Sequence, residues 1–274
     1  MRPERFIDLQ NHAIEARRGA EFDALVGRCR RELSVRGAYV LEGFVVPEAV
    51  ERILDEIGGK LDRAFYAPKS HNAYLAPDDP ELAEEHPRNR KQLTTSATLA
   101  YDFIGRDGLL DRIYRWSPLR TFVAATLGYD ALYPYDDDLA AVNVLTYRPG
   151  TQIGWHFDNA RFTVTLMLQQ AQRGGAYEYV PFIRSPDEEN YAAVESVLDG
   201  NSTGVHTLAQ GSGDLVVFQG RYTLHRVTEV GGELPRLVAV LSYDTKPGTR
   251  LTPHTCKMFY GRYRAGEPLP GPPD

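Results

Sequence analysis

Cysteine is almost missing: Cys29 and Cys256 are the two in 274 residues. A disulfide framework and a thiolate zinc site are therefore excluded as the basis of the fold. Long apolar runs are missing too. No 18 consecutive apolar residues occur, so no transmembrane helix and no membrane partner are expected. Basic runs are short, and 31 Lys and Arg against 37 Asp and Glu leave a net charge of −6. Nucleic acid is not the expected partner of such a chain. The opening MRPERFIDLQNHAIEARRGAEFD is charged and lacks the apolar centre of a secretory signal, which makes a cytoplasmic location the expectation. What is present is ordinary globular material, 42% hydrophobic, 11% aromatic and 25% charged. That fits a single domain over 1–274, large enough to bury its own core.

The hydrophobic period divides this domain. Over about 1–130 the spacing is helical. Phe22, Leu25, Val26, Cys29 and Leu33 paint one face of a helix over 21–35. Residues 38–46 (AYVLEGFVV) predict a strand, and Ala49, Ile53, Ile57 and Leu61 after Pro47 a second helix. Leu109, Leu110, Ile113, Leu119, Phe122, Val123 and Leu127 predict a third, stopped at Gly128. Between them, 66–100 shows no apolar period and is expected to be an irregular loop or lid. From about 140 to 262 the period becomes two. AAVNVLTY, RFTVTLMLQ, GDLVVFQG and RLVAVLSYD read as strands between Gly- and Pro-bearing turns, with Pro186–Leu198 as the one good helix. Strands after a helical front predict an α+β protein whose jelly-roll core is packed by N-terminal helices.

Chemistry concentrates in Gly154-Trp155-His156-Phe157-Asp158. Alternate side chains of a strand share a face, so His156 and Asp158 point one way and Phe157 the other. A lone His-x-Asp is common, and its ordinary explanation is a histidine paired inside a core. Here three further features follow in order. Pro149-Gly150 supplies a turn just before. His225 lies 69 residues downstream, beyond the apolar strand Leu215–Phe218. Arg236 lies 11 residues further on, opening the strand RLVAVLSYD. Two histidines and one carboxylate on one side of a metal leave open positions and suit non-haem Fe(II). A neighbouring guanidinium is what a dicarboxylate co-substrate requires, because its fork pairs a carboxylate bidentately.

The order His-x-Asp, His, Arg on a run of strands resembles the Fe(II)/2-oxoglutarate-dependent oxygenases, and the resemblance covers about Val142 to Thr245. It implies a double-stranded β-helix, iron held by His156, Asp158 and His225, and the far carboxylate of 2-oxoglutarate on Arg236. O2 would take the remaining metal site. SHNAYL, HPRNR, NVLTYRPGTQIGWHFD, GGAYEYVP and LHRV followed by RLVAVLSY resemble, more narrowly, the free-amino-acid radical halogenases and hydroxylases of the BesD type. Halogenating members carry Gly or Ala in place of the carboxylate ligand so that chloride can bind iron. Asp158 fills that site, so the resemblance implies hydroxylation, with desaturation or ring closure as related outcomes of the same oxidant.

Around the triad, Asn143 and Tyr147 share a strand face and either bond the co-substrate carboxylates or are core groups satisfied by backbone. Thr165 is a further candidate for that task. Related enzymes commonly place Ser or Thr two residues after the arginine; here that residue is Val238. Trp155 and Phe157 are expected to pack. Asp136, Asp137 and Asp138 are expected to form a solvated turn, with a substrate amine as the lesser alternative. His71, Arg88 and Arg90 lie in the irregular segment. A surface loop explains them, yet the likeness implies that Arg88 or Arg90 grips a substrate α-carboxylate. Ile153 and Asn159 flank the ligands, and neither neutralises a side-chain ammonium. An unpaired buried ammonium is costly, so a small amino-acid-like substrate with a neutral side chain is expected. His206 and His254 have no ligand spacing. The competing classes are a cupin-like metal protein that does not use 2-oxoglutarate and a jelly-roll binding module with structural histidines.

Overall fold

The computed structural model describes residues 2–15, 19–66 and 68–268. Most of its strands form two antiparallel sheets that face each other, and two further two-stranded ribbons pair Arg173–Gly174 with Val230–Gly231 and Tyr133–Pro134 with Tyr243–Asp244. The major sheet runs, in spatial order, Ala38–Leu41, Leu215–Phe218, Thr163–Gln169, Arg236–Leu241, Val142–Tyr147, Ala97–Leu99 and Phe65–Tyr66. The minor sheet runs His206–Leu208, Tyr177–Val180, Leu224–Val227, Ile153–His156, Lys91–Thr94 and Lys69–Asn72. From Val142–Tyr147 to Tyr177–Val180, and again from Leu215–Phe218 to Arg236–Leu241, the strands of these two sheets alternate between them along the chain, as a double-stranded β-helix requires.

Period-two alternation decides what each strand shows to each side. In Val142–Tyr147, Val142 and Val144 join the core under the helices, whereas Leu145 and Tyr147 pack between the sheets. Helices Ala20–Arg36, Pro47–Gly58, Leu109–Arg115 and Ser117–Leu127 supply the other half of that outer core. Ile53 and Ile57 are essentially inaccessible, and burying each contributes about 2 kcal/mol. Phe22 meets Phe122 edge-on at 6.1 Å, fixing the first helix against the fourth. Gly37 ends the first helix at φ 69, and its N–H bonds Leu33 O. A Cβ at Gly37 would come within 2.8 Å of Thr223 Oγ1, so the site excludes side chains on space as well as on φ.

Four expectations about elements are corrected. The irregular segment 66–100 contains strands Lys69–Asn72, Lys91–Thr94 and Ala97–Leu99, leaving a shorter loop over 73–90. The first two strands border the minor sheet and carry polar residues on both faces, so no apolar alternation betrays them. The third helix is two, Leu109–Arg115 and Ser117–Leu127, because Trp116 adopts ψ 118 just before Ser117-Pro118. The helix expected from Pro186 starts only at Tyr191, after Asn190 at φ 49. The strand expected over 38–46 stops at Leu41. The structure adds a C-terminal helix, Pro253–Tyr260, whose first turn is capped by Thr252 accepting from the Thr255 N–H. Among the described residues no helix is long and apolar enough to cross a membrane.

Candidate metal centre

Ile153–His156 pairs with Leu224–Val227 so that His156 lies directly opposite His225. The register then slips, with Val227 opposite Ile153; Gly154 and Trp155 stand against Arg226 alone. This bulge puts Ile153 on the same side as His156, between the sheets, and sends Trp155 behind the minor sheet. The strand ends at His156, not at Asp158 as the alternation predicts. Asp158 is instead held by its own N–H bonding Gly220 O at 3.0 Å, while the Phe157 N–H bonds Ala73 O at 2.7 Å. The expected direction survives the change. Gly220 has no side chain because any Cβ there would collide with the Asp158 carboxylate.

The donor atoms converge. Asp158 Oδ1 is 3.7 Å from His156 Nε2 and 3.5 Å from His225 Nε2, and all three ligand atoms lie within 4.8 Å of one another. Each imidazole is held by its other nitrogen: His156 Nδ1 is 2.8 Å from Gly154 O, and His225 Nδ1 is 2.9 Å from Thr223 O. A carbonyl only accepts, so Nδ1 carries the proton and Nε2 keeps its lone pair for a metal. Thr163 Oγ1 donates to Asp158 Oδ2 at 2.8 Å, leaving Oδ1 turned to the histidines. Burial, and then the nearby His225, push His156 down to about 3. Burial works upward on Asp158, but the adjoining His225 outweighs it and lowers the carboxyl to about 2. A neutral imidazole and an ionised carboxylate are the states in which these groups bind a divalent cation.

A buried cation lies beside the triad. Arg236 is 4% exposed and sits in register with Tyr147, over whose ring its guanidinium lies at 5.3 Å. Its Nη2 donates to Gln210 Oε1 at 2.8 Å. No carboxylate pairs with it among the described residues, and burial lowers its pKa. Tyr177 stacks on His225 at 5.5 Å, and its buried hydroxyl has no hydrogen-bond partner. A buried cation without an anion, beside an unsatisfied phenol, fits a carboxylate-bearing molecule and would be costly to leave permanently empty. Tyr177 and Gln210 were not singled out by spacing. The former stands in the block GGAYEYVP, where Tyr177 and Tyr179 alternate like any core pair; the latter lies in a turn with no pattern.

The remaining candidates divide. Thr165 is buried on the strand face that also carries Thr163, turned between the sheets. Asn143 is buried too, but its amide meets the Tyr260 hydroxyl of the C-terminal helix. Val238 is buried two residues beyond Arg236 and offers no hydroxyl. Ile153 packs against the cluster holding Tyr147 and Tyr177. His71 adjoins the triad: its ring meets His156 edge-on at 6.2 Å, and its Nε2 is 2.7 Å from Thr94 Oγ1. Asn159 is exposed and contributes its backbone carbonyl to Arg221.

The two arginines proposed for a substrate carboxylate make their contacts elsewhere, although Arg88 Nη1 is buried without a hydrogen-bond partner. Arg90 pairs with Asp199 and donates to Leu198 O at 3.1 Å, tying the loop to the end of helix Tyr191–Leu198. Arg88 lies over the Tyr74 ring at 5.3 Å and donates to Pro77 O. Tyr74 packs with Trp155 and Phe157 in the layer behind the minor sheet, so Arg88 belongs to that layer. Trp155 and Phe157 pack there as expected. Asp136 pairs with Arg250, Asp137 accepts from the N–H groups of Leu139, Ala140 and Leu251, and Asp138 pairs with Arg106, which makes the acidic run a tied turn. His206 and His254 are exposed and not part of the donor group; His206 stands in register with Tyr179, one strand further from His225.

Solved structures of similar shape exist. The epimerase SnoN from nogalamycin biosynthesis, titled as non-haem and α-ketoglutarate dependent, superposes with a TM-score of 0.56 at 15% identity, over 91% of this chain and 94% of its own. SnoN in complex with Fe3+, α-ketoglutarate and nogalamycin RO gives 0.56 at 17% identity, over 91% and 97%. AviO1 from Streptomyces viridochromogenes Tue57 gives 0.55 at 17% identity, over 83% and 97%. At these identities the likeness establishes the double-stranded β-helix. No curated protein sequence matches the chain. The profile of halogenase D matches residues 78–257, about two thirds of the chain, including both histidines, Asp158 and Arg236. The chain belongs to the halogenase D family.

Proposed function

We propose that this chain is an Fe(II)- and 2-oxoglutarate-dependent oxygenase that hydroxylates an unactivated C–H bond of a free amino acid, or of a similar small amine-containing acid with a neutral side chain. The observation that carries this reading is the convergence of His156, Asp158 and His225 next to a buried Arg236 that lacks a carboxylate. Bound iron with 2-oxoglutarate and O2 supplies the oxidant, releasing succinate and CO2. The chain's residues do the rest. Gly154 O and Thr223 O hold the two imidazoles in the metal-binding tautomer. Arg236, with Tyr147 and Tyr177 around it, would grip the far carboxylate of the co-substrate, while Tyr177 and Phe218 wall His225 from water.

The family's description speaks for halogenation and Asp158 speaks against it. A carboxylate fixed by Thr163 and backed by Gly220 occupies the position a halide would need. Hydroxylation follows from that occupancy, and desaturation or cyclisation would use the same oxidant. A neutral substrate side chain agrees with the donor group, in which Asp158 is the carboxylate found among the described residues. Anaerobic reconstitution with Fe(II), then succinate and product analysis across an amino-acid panel with and without chloride, tests the reading. Coupled succinate with an oxygen-bearing, chlorine-free product is the expected result. A chlorinated product overturns the hydroxylase assignment, and metal binding without 2-oxoglutarate turnover favours the cupin-like alternative.

A further inference from the structure

We propose that Lys69 is the residue that binds the carboxylate of the substrate; this rests on the oxygenase reading and names the contact it leaves open. The position follows from strand register. Lys69 lies opposite Thr94, and Thr94 lies opposite Ile153, which the bulge turns to the donor side. Lys69 and His71 are two apart on one strand and share that face, about 7 Å from each other along it. His71 bonds Thr94 and its ring meets that of His156 at 6.2 Å. Lys69 thus belongs to the wall that begins at the triad, one side-chain step beyond His71.

Its surroundings ask for an anion. The ammonium lies over the Phe259 ring at 4.3 Å, and no carboxylate pairs with it among the described residues. Burial alone, with no neighbouring acid to oppose it, pushes the amine down to about 8. The neighbouring Lys91, on the opposite strand face, has its partner in Asp78, so the segment does not lack acids. They lie on the wrong side of the sheet for Lys69. A partly desolvated cation is stabilised by whatever anion reaches it, and charge-assisted hydrogen bonds to carboxylate are among the stronger ones. The arginines that sequence favours for this task are tied to Asp199 and stacked behind the sheet, whereas Lys69 stands on the donor side with no acid beside it.

The test compares neutral L-amino acids with their primary carboxamides, using wild type, Lys69→Met and Lys69→Arg. Steady-state KM and kcat are read from succinate formation. Binding is read separately, by calorimetric titration of the same compounds into each protein loaded with Co(II) and 2-oxoglutarate. Lys69→Met is expected to raise KM and Kd for the acid about 10- to 100-fold. It leaves the amide, the KM for 2-oxoglutarate and metal affinity unchanged, and Lys69→Arg recovers most of the loss. Equal effects on acid and amide, or no effect, overturn the proposal while succinate formation keeps the oxygenase reading standing. If wild type forms no succinate, the oxygenase reading fails, and the calorimetric difference between acid and amide still decides the role of Lys69. A side chain that merely covers Phe259 would lower thermal stability in Lys69→Met without distinguishing acid from amide.

Discussion

Gly220→Ala is the sharpest probe of the metal centre, because it touches no donor and alters no charge. Gly220 is not in the left-handed region, so alanine carries no backbone penalty there. The added Cβ would nevertheless lie 2.6 Å from Asp158 Cγ and 2.8 Å from its Cβ. Ordinary contacts begin near 3.4 Å, so the carboxylate must withdraw by about 0.8 Å, and metal–ligand distances tolerate only about 0.2 Å. The withdrawal also strains the Thr163 bond that aims Oδ1 at the histidines. Disturbing such outer partners typically costs about 10- to 100-fold in metal affinity. Titration of apo protein with Co(II), followed by absorption, should show that loss in Gly220→Ala. Gly58→Ala, which has open space around its Cβ, serves as the control and should bind as wild type. Unchanged metal affinity in a folded Gly220→Ala protein would mean that Asp158 does not ligate from the orientation described, and the metal centre would have to be redrawn.

Other consequences are as direct. Arg236→Met should raise the KM for 2-oxoglutarate about 10- to 150-fold while leaving metal affinity near that of wild type, since its guanidinium is a buried charged donor. Tyr177→Phe removes a buried hydroxyl that has no partner, so chemical denaturation without co-substrate should show no loss of stability, yet 2-oxoglutarate binding should weaken. Stability against pH should expose Lys69. Its amine titrates near 8 when folded against an ordinary 10.5, so between those values the unfolded chain binds the extra proton and stability rises with pH. Lys69→Met should therefore exceed wild type in stability at pH 7, with the difference shrinking toward pH 10; urea unfolding at both pH values checks it. A constant difference would place the lysine in water.

The triad was legible because its logic is local. His156 and Asp158 need only two-residue alternation, and His225 follows the fully apolar strand Leu215–Phe218, which sequence marks unambiguously. Arg236 opens an equally apolar strand and was legible for the same reason. The strands that carry His71 and Lys69 were not. Lys69–Asn72 and Lys91–Thr94 read KSHN and KQLT, and their sidedness comes from pairing with Ile153–His156 across a long stretch of chain. Arg88 and Arg90 could not be placed from sequence for a related reason: a polar loop gives no sign of which sheet face it will cover. Helix Pro253–Tyr260 escaped because its buried residues, Cys256 and Tyr260, are too few to mark a stripe.

The slip in strand Ile153–His156 has a consequence for how the imidazole is aimed. Were Gly154 deleted, Ile153 and His156 would still face Val227 and His225, and the ladder would close without a defect. The carbonyl that now holds His156 Nδ1 belongs to the surplus residue, and deletion would pass that task to Ile153, then two residues before the histidine as Thr223 is before His225. A backbone irregularity here serves as a hinge pin for a side chain. Straightening it would leave the aim of the ring to a carbonyl whose direction the bulge no longer sets.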